Sequence, residues 1–234
     1  VTADSQDQTG TQDQTGVGAP GIVLPDGRPD PATASAGEVG ALWDQRFAET
    51  DWPDEPDRAV VELTAAVTPG TALDLGAGPG RNAIWLAARG WQVTAVDASA
   101  VGLAQARRRA AAAGVALELV VADLFDYRPP AGHFDLVVVA NLHVGAAERP
   151  RLFELASMAV APGGHLLVVG HHLDSLGRAG PPDPDRLYTE ELLVSLVPTF
   201  VVEHVGRMVR PLDGQPEPAV DAVLWARAPE GGRP

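Results

Sequence analysis

Apolar and polar residues change period several times along the chain, and these changes divide it into elements. In EVGALWDQRFAE, Val39, Leu42, Trp43 and Phe47 recur at helical spacing, so the stretch from Glu38 predicts a helix. The acidic, proline-broken DWPDEPD follows as a loop, and DRAVVELTAAV predicts a second helix stopped at Pro69-Gly70. Apolar runs and helical stretches then alternate. TALDL (71–75) reads as a short buried strand, NAIWLAARG as a helix with Gly90 at its C-cap, and WQVTAVD (91–97) as the next strand. Ser99 caps a helix through LAQARRRAAAA to Gly114, before a strand LELVVAD (117–123) and a loop with Pro129-Pro130. FDLVVVAN (134–141) is a further strand, AAERPRLFELASMAV a helix, and APGG (161–164) punctuates before the strand HLLVVGHH (165–172). Beyond the loop GRAGPPDPD, Thr189 with Glu190 and Glu191 behind it opens a short helix. FVVEHVGRMVR (200–210) and AVDAVLWARA (219–228) alternate as strands, about eight residues apart.

Five βα units require a parallel sheet with right-handed crossovers. The last two strands have no helix between them, so they form an antiparallel hairpin. The expected fold is α/β: a seven-stranded, doubly wound, mostly parallel sheet with a C-terminal antiparallel hairpin, helices on both faces and a helical N-terminal lid. Residues 1–37 are poor in large apolar groups and contain QDQTG twice, which predicts a flexible low-complexity extension. GIVLP (21–25) is the short run there that is suited to docking. The domain proper is expected over 38–234.

Composition narrows the partners. The 234 residues carry a net charge of −14, and every one of the 17 basic side chains is Arg. That balance disfavours nucleic acid and anionic membranes, because phosphate would be repelled. Arg107, Arg108 and Arg109 read as a solvated helix face. The absence of cysteine removes disulfides, thiolate zinc sites and cysteine nucleophiles. No apolar run approaches the roughly 20 residues of a membrane span, and VTADSQDQTG lacks the pattern of a signal peptide. A cytoplasmic protein, monomeric or homodimeric, with a small-molecule partner is expected.

In open parallel sheets, ligands sit beyond the carboxyl ends of the strands. The notable polar residues cluster at such ends: Asp74, Asp97 and Asp123 close the first three strands, Asn141 and His143 follow the fourth, and His171 and His172 close the fifth. The glycine order is Gly76-x-Gly78-x-Gly80, with an acid two residues ahead, whereas a dinucleotide site wants G-x-G-x-x-G. A carboxylate there opposes pyrophosphate and suits an ammonium, such as that of S-adenosylmethionine. Asp97, 17 residues after Gly80, stands where an acid accepts two ribose hydroxyls.

These residues together resemble the class I (Rossmann-like) S-adenosylmethionine-dependent methyltransferases. The resemblance covers about residues 38–228, and LDLGAGPGRNAIWLAARGWQVTAVDAS is most similar to the tellurite-resistance type of small-molecule methyltransferase. Trp43, Asp44, Arg46 and Phe47 match the W-D-x-R-F/Y segment of that type. The resemblance implies that Asp74, Gly76 and Gly78 hold the methionyl end, with Ala77 also at the cofactor, and that Asp97 binds the ribose. It also implies that Ala98 packs on the adenine, Asp123 reaches its amino group with Leu124 alongside, and Asn141 borders the sulfonium. Ala77 stands where the type often has Cys, and Ala98 where an aromatic residue is common.

Methyl transfer requires the nucleophile in line, about 3–3.5 Å from the carbon. A soft anion such as a thiolate, selenide or telluride needs no base, whereas a hydroxyl does, and His143 and His171 are the candidates. Adjacent strand residues point to opposite sides, so His171 and His172 cannot both face the site. No metal is expected: the adjacent pair cannot easily share an ion. His133, His165 and His204 read as structural. Arg81 either anchors the methionine carboxylate or an anionic acceptor, or makes a helix-surface ion pair. Arg46 is a candidate for an acidic substrate, and Trp43, Phe47 and Trp52 for an aromatic lid. The favoured reading is a methyltransferase of a small soft nucleophile. The alternatives are an O- or N-methyltransferase of a natural product with a His base, or a non-catalytic cofactor module or NAD-dependent dehydrogenase. Arsenite methylation and cytosine C5 methylation in their cysteine-dependent forms are excluded.

Overall fold

The computed structural model describes residues 36–231 apart from Asp213. Helices α1 (Ala36–Glu49) and α2 (Arg58–Thr64) precede strand β1 (Thr71–Leu75). Then follow α3 (Arg81–Ala87), β2 (Gln92–Asp97), α4 (Ala100–Ala112), β3 (Glu118–Val121), β4 (Phe134–Ala140), α5 (Arg149–Ala159) and β5 (Val160–His171). The last elements are α6 (Glu190–Ser195), β6 (Val201–Arg210) and β7 (Ala219–Arg227). The expected N-terminal extension lies outside the described residues, save that α1 begins two residues inside it.

The seven strands are ordered β3-β2-β1-β4-β5-β7-β6. The pairs from β3 to β5 are parallel, while β7 runs antiparallel to both β5 and β6. The expected doubly wound sheet and terminal hairpin are therefore present, with the hairpin strand β7 inserted beside β5. Strand order reverses between β1 and β4, which is where such sheets open a crevice.

Two apolar layers cover the sheet. Leu86 of α3, Leu103 of α4 and Val60 of α2 pack with Leu136, Val138, Leu167, Val169 and Val223 on one face. Phe153 and Leu155 of α5 and Leu193 of α6 pack with Val137, Leu166, Val168 and Leu224 on the other. Paired strand residues share a face, so the register Ala95–Asp74–Val138–Leu167 sets Asp74 on the α2–α4 side. Asp97, two residues beyond Ala95, and His171, two pairs beyond Leu167, fall on that same side, as does Asp221, which is paired with His171.

Two expectations are corrected. The crossover from β3 to β4 contains no helix: Asp123 opens a turn, its Oδ1 accepting from Phe125 N at 2.8 Å, so there are not five complete βα units. APGG does not separate helix from strand but lies within β5, which starts at Val160. The register jumps from Phe134–Val160 to Leu136–His165, a bulge that absorbs the extra residues. Gly164 fits there because a Cβ would stand 3.0–3.1 Å from three backbone carbonyl oxygens.

Candidate active site

The glycine turn after β1 is tied to β2 by its own backbone. Gly76 N and Ala77 N both donate to Val96 O, at 2.9 and 3.1 Å. Gly76, Gly78 and Gly80 all have positive φ, which L side chains adopt only with strain. At Gly78 there is also no room: a Cβ would lie 2.9 Å from Cζ of Phe47.

Asp97 closes the turn from the other side. Its Oδ2 accepts from Gly78 N and its Oδ1 from Ser99 N, each at 2.8 Å. Burial nevertheless raises its pKa, partly offset by those amide bonds. A carboxylate offers about four acceptor positions, so two remain after the amides have oriented it, enough for a vicinal diol. Asp74 is also buried, and its Oδ2 has no hydrogen-bond partner. Burial lifts its pKa to about 7, with Arg81 opposing and Asp97 reinforcing. A buried, unpartnered carboxylate oxygen is costly to leave unmatched, and a ligand ammonium is its natural complement. These two acids and the tight glycine turn fit S-adenosylmethionine.

Helix α1 is pinned across this end of the sheet. Asp44 Oδ1 accepts from Ser99 Oγ and from Val101 N at 2.9 Å, joining α1 to the start of α4. Ser99 in turn caps α4, accepting from Gly102 N at 2.9 Å. Ala98 lies under α1, close enough that a Cβ on Gly40 would meet its carbonyl oxygen at 2.7 Å. Trp43, Phe47 and Trp52 form one aromatic cluster, with centroids 5.2–6.2 Å apart. The Arg46 guanidinium lies 5.2 Å from the Trp43 ring. The candidate lid residues are thus brought together, and Phe47 joins them to the glycine turn.

Sequence reasoning missed Asp57. It caps α2 by accepting from Ala59 N at 3.0 Å, and its own N–H donates to Asn82 Oδ1 at 2.8 Å. Its Oδ2 accepts from Asn141 Nδ2 at 3.1 Å and lies 3.5 Å from Arg81. The Arg81 pairing is therefore with Asp57. Asn141 holds φ +57, a non-glycine outlier of the kind that gathers at functional sites. Its N–H donates to Val169 O at 2.7 Å, which ties the end of β4 to β5. Asp123 and Leu124 sit at the turn after β3, with Leu124 buried in the layer beneath α5.

The three histidines beyond β4 and within or after β5 divide sharply in their surroundings. His143 is held at both nitrogens: Nδ1 lies 3.0 Å from Arg186 O, and Nε2 accepts from His171 N at 3.3 Å. Burial and the neighbouring His171 push its pKa down to about 3. With both nitrogens committed to the backbone, it is a poor base; it holds the loop after β4. Tyr188 and Arg186 brace that loop further, donating to Leu142 O and His143 O. His172 is buried between Glu190 and the Asp174 amide, at 2.9 Å from each, and serves structure. His171 stacks on His143 with centroids 4.9 Å apart, and its Nδ1 lies 3.0 Å from Asp221 Oδ1. Among the described residues its Nε2 has no hydrogen-bond partner.

Buried acids at the ends of β1 and β2, a strained glycine turn between them and helix α1 pinned beside it thus form one site on a Rossmann-like sheet. Residues 72–164 match a family model described as a methyltransferase domain. Over that stretch the chain matches a class I S-adenosylmethionine-dependent methyltransferase domain. It is 40% identical over 125 residues to trans-aconitate 2-methyltransferase of Paracidovorax citrulli, covering 49% of this chain and 45% of that protein. It is 33% identical over 114 residues to demethylmenaquinone methyltransferase of Thermus thermophilus, covering 48% and 52%. The chain thus spans about half the length of these curated relatives. Among solved structures, TehB from Haemophilus influenzae superposes with TM-score 0.63 at 18% identity, covering 81% of this chain and 66% of that one. The 1,6-didemethyltoxoflavin-N1-methyltransferase of Burkholderia thailandensis, solved with S-adenosylhomocysteine, gives 0.63 at 21%, covering 84% and 91%. At these identities the superpositions establish the fold. No helix among the described residues is long and apolar enough to cross a membrane.

Proposed function

We propose that the protein is a methyltransferase that uses S-adenosylmethionine to methylate a small molecule. The observation that carries this reading is the pair of buried acids on one sheet face. Asp74 has an unpartnered oxygen, and Asp97 is oriented by Gly78 N and Ser99 N. In this reading Asp74 takes the ammonium and Asp97 the ribose hydroxyls, while the bound cofactor supplies an electrophilic methyl group. The protein contributes positioning. Asn141 sets the edge between cofactor and acceptor, the Trp43–Phe47–Trp52 cluster excludes water from the glycine turn, and the loop braced by His143 walls the acceptor side.

The acceptor enters over the ends of β4 and β5, where His171 lies. By their names the relatives above act on trans-aconitate and on demethylmenaquinone, and the toxoflavin enzyme on N1 of 1,6-didemethyltoxoflavin, so small acceptors occur among the proteins this chain resembles. A soft nucleophile needs nothing beyond positioning. The pairing of His171 with Asp221 favours the other reading, an acceptor that must lose a proton. The test is release of S-adenosylhomocysteine across a panel of thiols, selenite, tellurite, phenols and heteroaromatic amines, with NADH binding measured in parallel. Turnover of a small acceptor supports the proposal. Saturable NADH binding without S-adenosylmethionine binding would refute it in favour of a dehydrogenase.

A further inference from the structure

The end of β5 and the terminal hairpin together build an arrangement that cofactor binding does not require. His171 is the last residue of β5 and is directly paired with Asp221 of β7. The two side chains share a sheet face and meet at 3.0 Å between Nδ1 and Oδ1. Arg210 of β6 closes the group, its Nε donating to Asp221 Oδ2 at 2.9 Å. A carboxylate on Nδ1 fixes the imidazole tautomer with its proton on Nδ1, and leaves the lone pair on Nε2. That ring nitrogen has no hydrogen-bond partner among the described residues, and the side chain keeps 16% of its surface exposed. The other flank is set by Gly180, which packs so tightly over the ring that a Cβ would lie 2.4 Å from Cδ2. His171 also lies one pleat beyond Val169, whose carbonyl holds Asn141. Strand rise puts it about 7 Å from that level, within reach of an acceptor seated beyond Asn141.

We propose that His171 is the general base of the reaction, with Asp221 its positioning residue and Arg210 holding Asp221, and that the acceptor is a hydroxyl or N–H compound. The inference rests on the methyltransferase reading above. The acceptor's proton passes to Nε2 of His171. The electron pair released on the acceptor oxygen or nitrogen forms the bond to the methyl carbon as the carbon–sulfur bond breaks, and that bond's pair leaves with sulfur. The groups facing the imidazole are His143 from the loop after β4, Asp221 from β7 and Arg210 from β6, whose Nη2 lies 3.5 Å from Nδ1. His143 stays neutral in the working range, being held down at about 3, so it does not compete for the proton. Asp221 is kept ionised: burial raises its pKa, but the bonds from His171 and Arg210 overcome this and leave it at about 2.

The test compares wild type, His171→Asn, Asp221→Asn and Asp221→Glu. Calorimetry with S-adenosylmethionine and melting curves verify folding and cofactor binding in each. Nitrogen NMR of the imidazoles supplies a readout independent of turnover: the Nδ1-protonated tautomer of His171 in wild type and a mixture in Asp221→Asn. The probes are catechol, p-cresol and imidazole, set against thiophenol and selenite. The expected result is turnover of at least one hydroxyl or N–H probe, reduced about 10²–10⁴-fold in His171→Asn. Asp221→Asn should lower kcat for that probe with KM little changed, and Asp221→Glu should restore part of the loss. Turnover confined to thiophenol and selenite, or no turnover of any probe by a protein that binds the cofactor, overturns the base assignment and leaves the methyltransferase reading standing. Failure to bind S-adenosylmethionine overturns that reading itself.

Discussion

Replacing Asp74 with Asn separates stability from function at the cofactor site. Burial, reinforced by Asp97 and only partly offset by Arg81, lifts the Asp74 pKa from 3.8 to about 7. Each tenfold change in proton affinity is worth about 1.4 kcal/mol. Ionising Asp74 therefore costs on the order of 4 kcal/mol more in the folded protein than in the unfolded chain, before any ligand compensates. Below pH 3.8 both states hold the proton. Between 3.8 and about 7 the unfolded chain has released it while the fold retains it, so this group's contribution to stability falls as pH rises. Asn has the same shape and carries no such penalty. The melting temperature of Asp74→Asn, measured against wild type by scanning calorimetry, should climb from about pH 4 to about pH 8, by roughly 5–15 °C. Affinity should move the opposite way. A proton competes with the ammonium for Asp74, so wild-type affinity for S-adenosylmethionine should fall about tenfold per pH unit below 7. In Asp74→Asn it should be weak and flat with pH. A variant that melts below wild type at about pH 8, or binds the cofactor with unchanged affinity and pH slope, would refute the reasoning.

Other consequences follow from the same geometry. Gly78→Ala should cost roughly 1–2 kcal/mol in backbone strain and displace Phe47, lowering both the melting temperature and cofactor affinity. Asp57→Ala removes a helix cap worth about 1 kcal/mol and also releases Asn141. Asp57→Asn can keep the cap, so thermal unfolding should rank it between Asp57→Ala and wild type. His143→Ala leaves the His171 amide unpaired, a loss of about 1–3 kcal/mol. Its melting temperature should drop, while turnover of a hydroxyl or N–H acceptor should fall far less than in His171→Asn, because the base is elsewhere.

What could be read from the sequence, and what could not, follows from how far each contact reaches. Asp74, Asp97 and Asn141 were legible because a parallel sheet gathers the carboxyl ends of its strands along one edge, whatever the loops do. Helix α1 was legible from the spacing of Trp43 and Phe47. Asp57 was not, because DWPDEPD has no periodicity and its partners Asn82 and Asn141 lie 25 and 84 residues away. The pairing of His171 with Asp221 spans 50 residues and needs the antiparallel register of β5 with β7, which no spacing in either strand reveals. His143 looked equivalent to His171 from its position after a strand. Only the two backbone groups on its nitrogens distinguish them. APGG carries the residues of a chain break, yet the sheet uses its glycines to pass a bulge.

The most direct test of the central claim, that the strand-end acids hold S-adenosylmethionine, is calorimetric titration of S-adenosylhomocysteine into wild type and Asp97→Ala. The product lacks the reactive methyl, so binding is measured without turnover. Wild type should bind saturably and one-to-one, and Asp97→Ala should lose more than about tenfold in affinity, since two hydrogen bonds to a charged acceptor are each worth about 1.5–3 kcal/mol. Absence of binding by the wild type, or equal affinity in a folded Asp97→Ala, would contradict it.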